Sequence, residues 1–334
     1  MYFYRRDEKL KRALQLLSLL VLSVVLVACG EKSQEDIVSE VNKTWADSSY
    51  ELKATMEVKD GDSPRSYDVL VWHTKPEFYR VEIKEKDSEA SQYIIKNKEG
   101  VFLVTPSNQK TYKFQSDWPK KNSQSYLIGA LAEDLVADKA AAMEKTEKHY
   151  IFEAATRNHD KTGLPSQQIK VDKKTLLPSK VSLLDESMSE QIVISFHEIN
   201  LKAKHKPEEY VVTMSEQEST GEVPFKVHYP TLTFDNTQLI DEVVIKDKGN
   251  ERAVLSYEGD KSFTLIQSPV KTSDKLVSVA VQGDPEWLGS TYGAIHKNTL
   301  TWDQNGISFL LTSDELSSFE MVKLAASLSS ESMK

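Results

Sequence analysis

Cysteine is almost absent from these 334 residues, with Cys29 the single example. That excludes an intramolecular disulfide framework and any metal site built from several thiolates. Glycine (12) and proline (11) are too sparse for a collagen-like or low-complexity chain. Positive charge is also short, 42 Lys and Arg against 51 Asp and Glu, for a net charge of -9. Residues 1–12 hold five basic and two acidic groups, so the chain beyond them carries -9 - 3 = -12. Phosphate-backbone binding needs a concentrated basic face, and nucleic acid is therefore not an expected partner. Compact signatures of catalysis are missing: there is no HExxH, GxSxG, GxGxxG or Walker loop, and the seven histidines (73, 149, 159, 197, 205, 228, 296) are scattered. DQNG at 303–306 begins like a calcium loop, but ISFLL follows at once, and Asn305-Gly306 reads as a tight hairpin instead. The chain is expected to be non-enzymatic, with no metal and no cofactor.

The one long apolar stretch is ALQLLSLLVLSVVLVA, residues 13–28, behind the basic residues Arg5, Arg6, Lys9, Lys11 and Arg12. Basic then apolar is the order of a secretory signal peptide. About 16 residues at 1.5 Å each reach roughly 24 Å, short of the ~30 Å hydrocarbon core, which weighs against an uncleaved span. Leu26-Val27-Ala28-Cys29, followed by Gly30, resembles the lipobox of bacterial lipoproteins. The resemblance implies lipidation of Cys29 with palmitate-type acyl chains, and cleavage before it by a peptidase that recognises Leu26, Ala28 and Gly30. Two acyl chains suffice for a stable anchor. On this reading 1–28 is the signal peptide and 29–33 the lipidated tether. The mature protein then lies on the extracytoplasmic face of the cell membrane.

Beyond the tether the chain is mainly β. Ser33 followed by Glu35 and Asp36 predicts a helix start, and Ile37, Val38, Val41 and Trp45 give an amphipathic helix over 34–47. From Tyr50 the period becomes two: Tyr50, Leu52, Ala54, Met56 and Val58 alternate with Glu51, Lys53, Thr55, Glu57 and Lys59. Strands are expected at 50–59, 67–73, 78–84, 92–96, 100–104 and 110–114, helix within 118–142, and strands again at 149–155, 167–171, 180–184 and 191–197. MSEQESTGEVP (214–224) reads as a linker. A second β set follows at 231–234, 239–246, 252–259, 262–268, 275–283, 293–302 and 307–312. A final helix is expected, capped from Thr312 or Ser313, with Leu316, Phe319, Val322, Leu324 and Leu328 on its apolar side. The domains are thus 34–213 and 225–334.

KPEFYRVE (75–82), QYIIKNKEGVFLVTPSNQKTYKF (92–114) and FHEINLKAK (196–204) resemble the LolA/RseB-like lipoprotein-carrier superfamily over about residues 34–212. With WDQNGISFLLTSDELSSFEMVKLAASL at 302–328, the whole order is similar to YdcC-type sporulation lipoproteins of Gram-positive bacteria. The resemblance implies a curved antiparallel half-barrel with covering helices, and a smaller C-terminal β domain closed by a helix. It implies lipid or lipoprotein handling in the cell envelope or spore envelope. It offers as alternative an RseB-like sensor module that binds a membrane-protein partner. An envelope hydrolase is disfavoured by the missing nucleophile–base set. An apolar cavity is expected to be lined by Leu52, Met56, Val69, Val71, Tyr79, Val81 and Ile83.

Overall fold

The computed structural model describes residues 32–59, 64–86, 91–105, 110–119, 124–157, 164–211, 225–247, 249–270 and 277–329. The lipobox residues Leu26, Ala28, Cys29 and Gly30 lie outside these, as does the linker at 214–224. The chain divides into two units between Glu40 and Val41, and of the first only residues 32–40 are described. In the first, Ser33 caps helix α1 (Gln34–Ala46): the Asp36 amide donates to Ser33 Oγ at 3.1 Å, and the Ser33 amide donates to Asp36 Oδ2 at 3.1 Å. This is a capping box with aspartate in the third position. The last turn of α1 falls in the second unit, where Val41 and Trp45 are buried and the Trp45 indole donates to Leu176 O at 2.7 Å.

The strict alternation from Tyr50 becomes β1 (Tyr50–Val58), with Tyr50, Leu52, Ala54 and Met56 buried. Alternation continues through β2 (Arg65–Thr74) and β3 (Phe78–Glu85). β4 (Ser91–Asn97), β5 (Gly100–Thr105) and β6 (Lys110–Gln115) complete an antiparallel meander. Helix α2 (Ile128–Ala137) interrupts the strands, and β7 (Ala142–Lys145), β8 (His149–Ala155), β9 (Ser166–Asp172), β10 (Pro178–Leu184) and β11 (Glu190–Asn200) follow. β11 returns to pair with β1. The helical pattern expected over 118–142 thus contracts to ten residues, and the alanine-rich end of that stretch leads into edge strand β7. Helix α2 is held to β8 and β9 by its buried Asp134, which accepts from Arg157 Nε and, at 2.8 Å, from Gln167 Nε2.

The later strands are β12 (Tyr229–Pro230), β13 (Gln238–Ile245), β14 (Arg252–Glu258), β15 (Phe263–Pro269), β16 (Val277–Gln282), β17 (Asp284–Trp287), β18 (Tyr292–His296), β19 (Thr299–Gln304) and β20 (Ile307–Thr312). Helix α3 (Ser318–Ala326) and β21 (Leu328–Ser329) close the chain. Seven of these strands form a second sheet in the order β13-β14-β15-β20-β19-β18-β17. β16 does not join it. It pairs parallel to β6, Val279 opposite Tyr112 and Val281 opposite Phe114, so the large sheet runs β16-β6-β5-β4-β3-β2-β1-β11-β10-β9-β8-β7. The run expected as one strand over 275–283 therefore ends at Gly283 (φ +98°), where the chain changes sheets. A Cβ there would lie 1.9 Å from Ile295 O, so only glycine fits.

Other departures have local causes. Residues 231–234 form no strand, because their backbone bonds to the end of α3: the Thr231 amide donates to Ser327 O at 3.0 Å. The stretch 293–302 splits into β18 and β19 at Lys297, which takes a left-handed turn (φ +53°). Asn305 and Gly306 both have positive φ and join β19 to β20 as the expected two-residue hairpin. The cap of the last helix is Ser317, reciprocally bonded to Glu320; Ser313 caps only the preceding turn. The second sheet and α3 bury one core, including Leu255, Leu265, Leu300, Phe309, Leu311 and Leu324.

Candidate functional site

A cavity of about 620 Å³ opens between the large sheet and the C-terminal elements. Its floor is a block of cross-strand neighbours. Met56 on β1 faces Ile194 on β11, Val58 faces Ile192, and Ile192 faces Leu183 on β10. Residues directly opposite in an antiparallel pair share a face, so the pattern of alternation alone puts these side chains together. Tyr126 and Leu164 form a side wall. The roof is Trp287 at the end of β17, Leu288 and Gly289 just after it, and Phe319, Val322 and Ala326 of α3. Those three helix positions are spaced i, i+3, i+7, one stripe of the helix. Met321, Leu324 and Ala325 face the domain core instead. Helix α3 is therefore apolar on two sides.

The roof is fastened to the sheet by hydrogen bonds among buried and half-buried groups. Tyr67 donates its hydroxyl to Gly289 O, and its ring meets Trp287 edge-on at 5.2 Å. Gln92 spans the junction, donating to Thr291 Oγ1 at 2.8 Å and accepting from the Tyr292 amide at 3.1 Å. Tyr126 and Tyr292 pair through their hydroxyls at 2.8 Å, and burial pushes both phenols well above their usual range, so both stay neutral. Farther along, Asp303 accepts from Tyr112 and, at 3.3 Å, from Lys110.

Charge appears among the lining residues as Lys59, Asp185, Glu186, Glu286 and Lys323. Asp185 is committed to its own turn, where the Ser187 hydroxyl and then the Ser189 amide hold its carboxyl below the ordinary range. Lys323 lies over the Phe319 ring at 4.6 Å. The remainder of the lining is largely hydrocarbon, a surface suited to an apolar guest.

Of the residues expected to line a cavity, Met56 does so. Leu52, Val69, Val71, Val81 and Ile83 are at most 3% exposed and sit in the packed core rather than on this wall. Tyr79 lines a separate cavity of about 180 Å³ and stacks on His73 at 4.1 Å. Ile192 and Ile194 lie within a strand the sequence predicts, and Phe319 and Val322 within a helix it predicts. What joins them is the packing of one sheet against the other, which alternation does not encode. Trp287 ends a strand the sequence did not reveal, and Leu288 follows it. Among the described residues no three His, Cys, Asp or Glu side chains cluster to hold a metal ion, and no helix is long and apolar enough to cross a membrane.

Comparison with known proteins gives a match over nearly the full length of the chain. "Sporulation protein YdcC" of Bacillus subtilis (strain 168) is 34% identical over 337 residues, covering 98% of this chain and 100% of that protein. Among solved structures, a chain of the MucA/MucB complex from Pseudomonas aeruginosa is similar at 13% identity and TM-score 0.36, over 90% of this chain and 99% of that one. A LolA superfamily protein from Nitrosomonas europaea is similar at 12% identity and TM-score 0.32, over 54% of this chain and 98% of that one. The family model described as "Sporulation protein YdcC-like" matches residues 9–210. The chain belongs to the YdcC-like family of sporulation proteins.

Proposed function

We propose that this protein is an envelope lipoprotein, tethered through lipid on Cys29 at the extracytoplasmic face of the cell membrane, whose cavity holds an apolar ligand during spore-envelope assembly. The ligand class is an acyl chain, of a lipid or of another lipoprotein, and the role is binding rather than catalysis. The 620 Å³ cavity carries this reading. Its volume falls within the roughly 300–1,000 Å³ of small-molecule sites, and its floor of Met56, Leu183, Ile192 and Ile194 offers dispersion contacts with few polar demands. A tethered protein does not leave its membrane, which favours local handling of a ligand over shuttling.

A second reading, an RseB-like module docking on a membrane-protein partner, is favoured by edge strand β13. There Leu239, Ile240 and Val243 are 39%, 55% and 45% exposed.

Binding of a fluorescent fatty acid to the full chain in detergent tests the first reading. Ile192→Glu and Phe319→Glu place a charge on half-buried wall positions. Each is expected to weaken binding about a hundredfold, because an unpaired charge against hydrocarbon costs several kcal/mol. Absence of saturable binding by the unsubstituted protein, or equal binding by folded variants, contradicts it and leaves the docking module.

A further inference from the structure

The 180 Å³ cavity is chemically unlike the large one, and it stands on the first turn of α2. Leu127, Gly129 and Ala130 line it. The N-cap is Leu127, which has no side-chain acceptor, and the first turn holds no acidic residue. Apart from the Ile128 amide, which points at the Tyr50 hydroxyl, the leading amides of this ten-residue helix have no side-chain cap, and no acidic residue offsets the positive end of its dipole. An independent feature lies beside them. Tyr50 is 1% exposed and lines the same cavity; its hydroxyl faces the Ile128 amide, which can only donate, so its own O–H proton has no acceptor. A buried O–H without an acceptor is unfavourable, and its presence at a helix start marks a place where something accepts from it.

Lys75, Glu77, Lys96, His73 and Glu133 also line the cavity, Glu133 being ion-paired to Arg157 at 2.6 Å. Lys96 is buried, its Nζ 2.8 Å from Trp118 O and 3.9 Å from Glu77 Oε2. His73 donates from Nδ1 to Phe78 O at 3.0 Å, so the other nitrogen of its ring is an acceptor. Amides, a hydroxyl and an ammonium can each donate to an oxyanion, and the imidazole nitrogen can accept from a P–OH. A carboxylate offers no hydroxyl to that nitrogen. The geometry points to a phosphate-binding site in this cavity, held by the first turn of α2, Tyr50 and Lys96, with His73 accepting from the protonated oxygen. Glu77, half-exposed, is the counter-ion that the phosphate replaces beside Lys96.

Titration of the full chain in detergent with inorganic phosphate, and separately with a short-chain phosphatidate, tests this by calorimetry and phosphorus NMR. Saturable binding of at least one probe is expected. Tyr50→Phe, which removes a single oxygen, weakens it about tenfold, and Glu77→Gln tightens it several-fold. A phosphatidate that binds far tighter than inorganic phosphate, and is equally sensitive to Tyr50→Phe, identifies a lipid headgroup; equal affinities identify free phosphate. No binding of either probe, or binding indifferent to both substitutions, overturns the proposal. Lys96→Met is expected to abolish binding, but it removes a buried cation, so the two conservative variants decide.

Discussion

His73 shows how one buried side chain couples packing to pH. Its ring is 5% exposed between Tyr50 and Tyr79. Burial, against the opposing bond to Phe78 O and with help from the Lys75 charge, lowers its pKa from 6.5 to about 4. The unfolded chain therefore takes up a proton as pH falls through 6.5, while the folded chain does so only near 4. Stability drops as pH decreases across that window, by up to about 3 kcal/mol for this residue. Urea denaturation at pH of about 7 and about 4.5 should show a steeper loss in the unsubstituted protein than in His73→Phe. Identical slopes would show that the buried ring is not what titrates. Nothing in WHTKPEF distinguishes this histidine from the other six, because its burial comes from its cross-strand neighbours Tyr50 and Tyr79 and not from the local sequence.

At the scale of elements, helix α3 has two roles, closing the C-terminal core and roofing the cavity. Its start depends on the Ser317–Glu320 capping box: the Glu320 amide donates to Ser317 Oγ at 3.2 Å, and the Ser317 amide to Glu320 Oε2 at 2.8 Å. Glu320 also meets Lys261 at 3.2 Å, so the cap ties the helix to the turn before β15. Ser317→Ala is expected to lower unfolding stability by about 1 kcal/mol. It should also raise hydrogen exchange in α3 before the rest of the domain. Unchanged stability would place the helix start elsewhere, for instance at Ser313. The elements themselves were largely legible. The period-two runs of β1 and β3, the short strands β2 and β4 to β6, and the Asn305-Gly306 hairpin stand in the sequence with boundaries within two residues. The cap of α3 was misplaced because SDELSSFE offers two serine starts, and the bulk of Leu316 selects the later one by filling the core. β7 and β17 are short edge strands whose pairing comes from neighbours rather than from their own pattern.

For the whole molecule, the decisive feature is that the two β sets share strands and side chains. β16 completes the large sheet from within the C-terminal region. Tyr67, Gln92, Lys110 and Tyr112 of the large sheet, with Tyr126 just before α2, reach across to Gly289, Thr291, Tyr292 and Asp303. A reading of two domains in succession follows from the composition of the linker. The interleaving depends on long-range pairing, which local periodicity cannot carry. The cavity was half legible for the same reason: the sequence shows an apolar sheet face and an apolar helix stripe, while their apposition is a property of the assembled chain. That apposition encloses a hydrocarbon-lined volume beneath α3. The central claim is that an acyl chain occupies it. Native mass spectrometry with lipid extraction, on the chain from Gly30 onward purified from bacterial cells, tests this most directly. Without Cys29, any lipid found is held non-covalently. The account predicts a stoichiometric acyl ligand that is lost in Ile192→Glu and Phe319→Glu; a clean ligand-free mass from a cooperatively folded protein would contradict it.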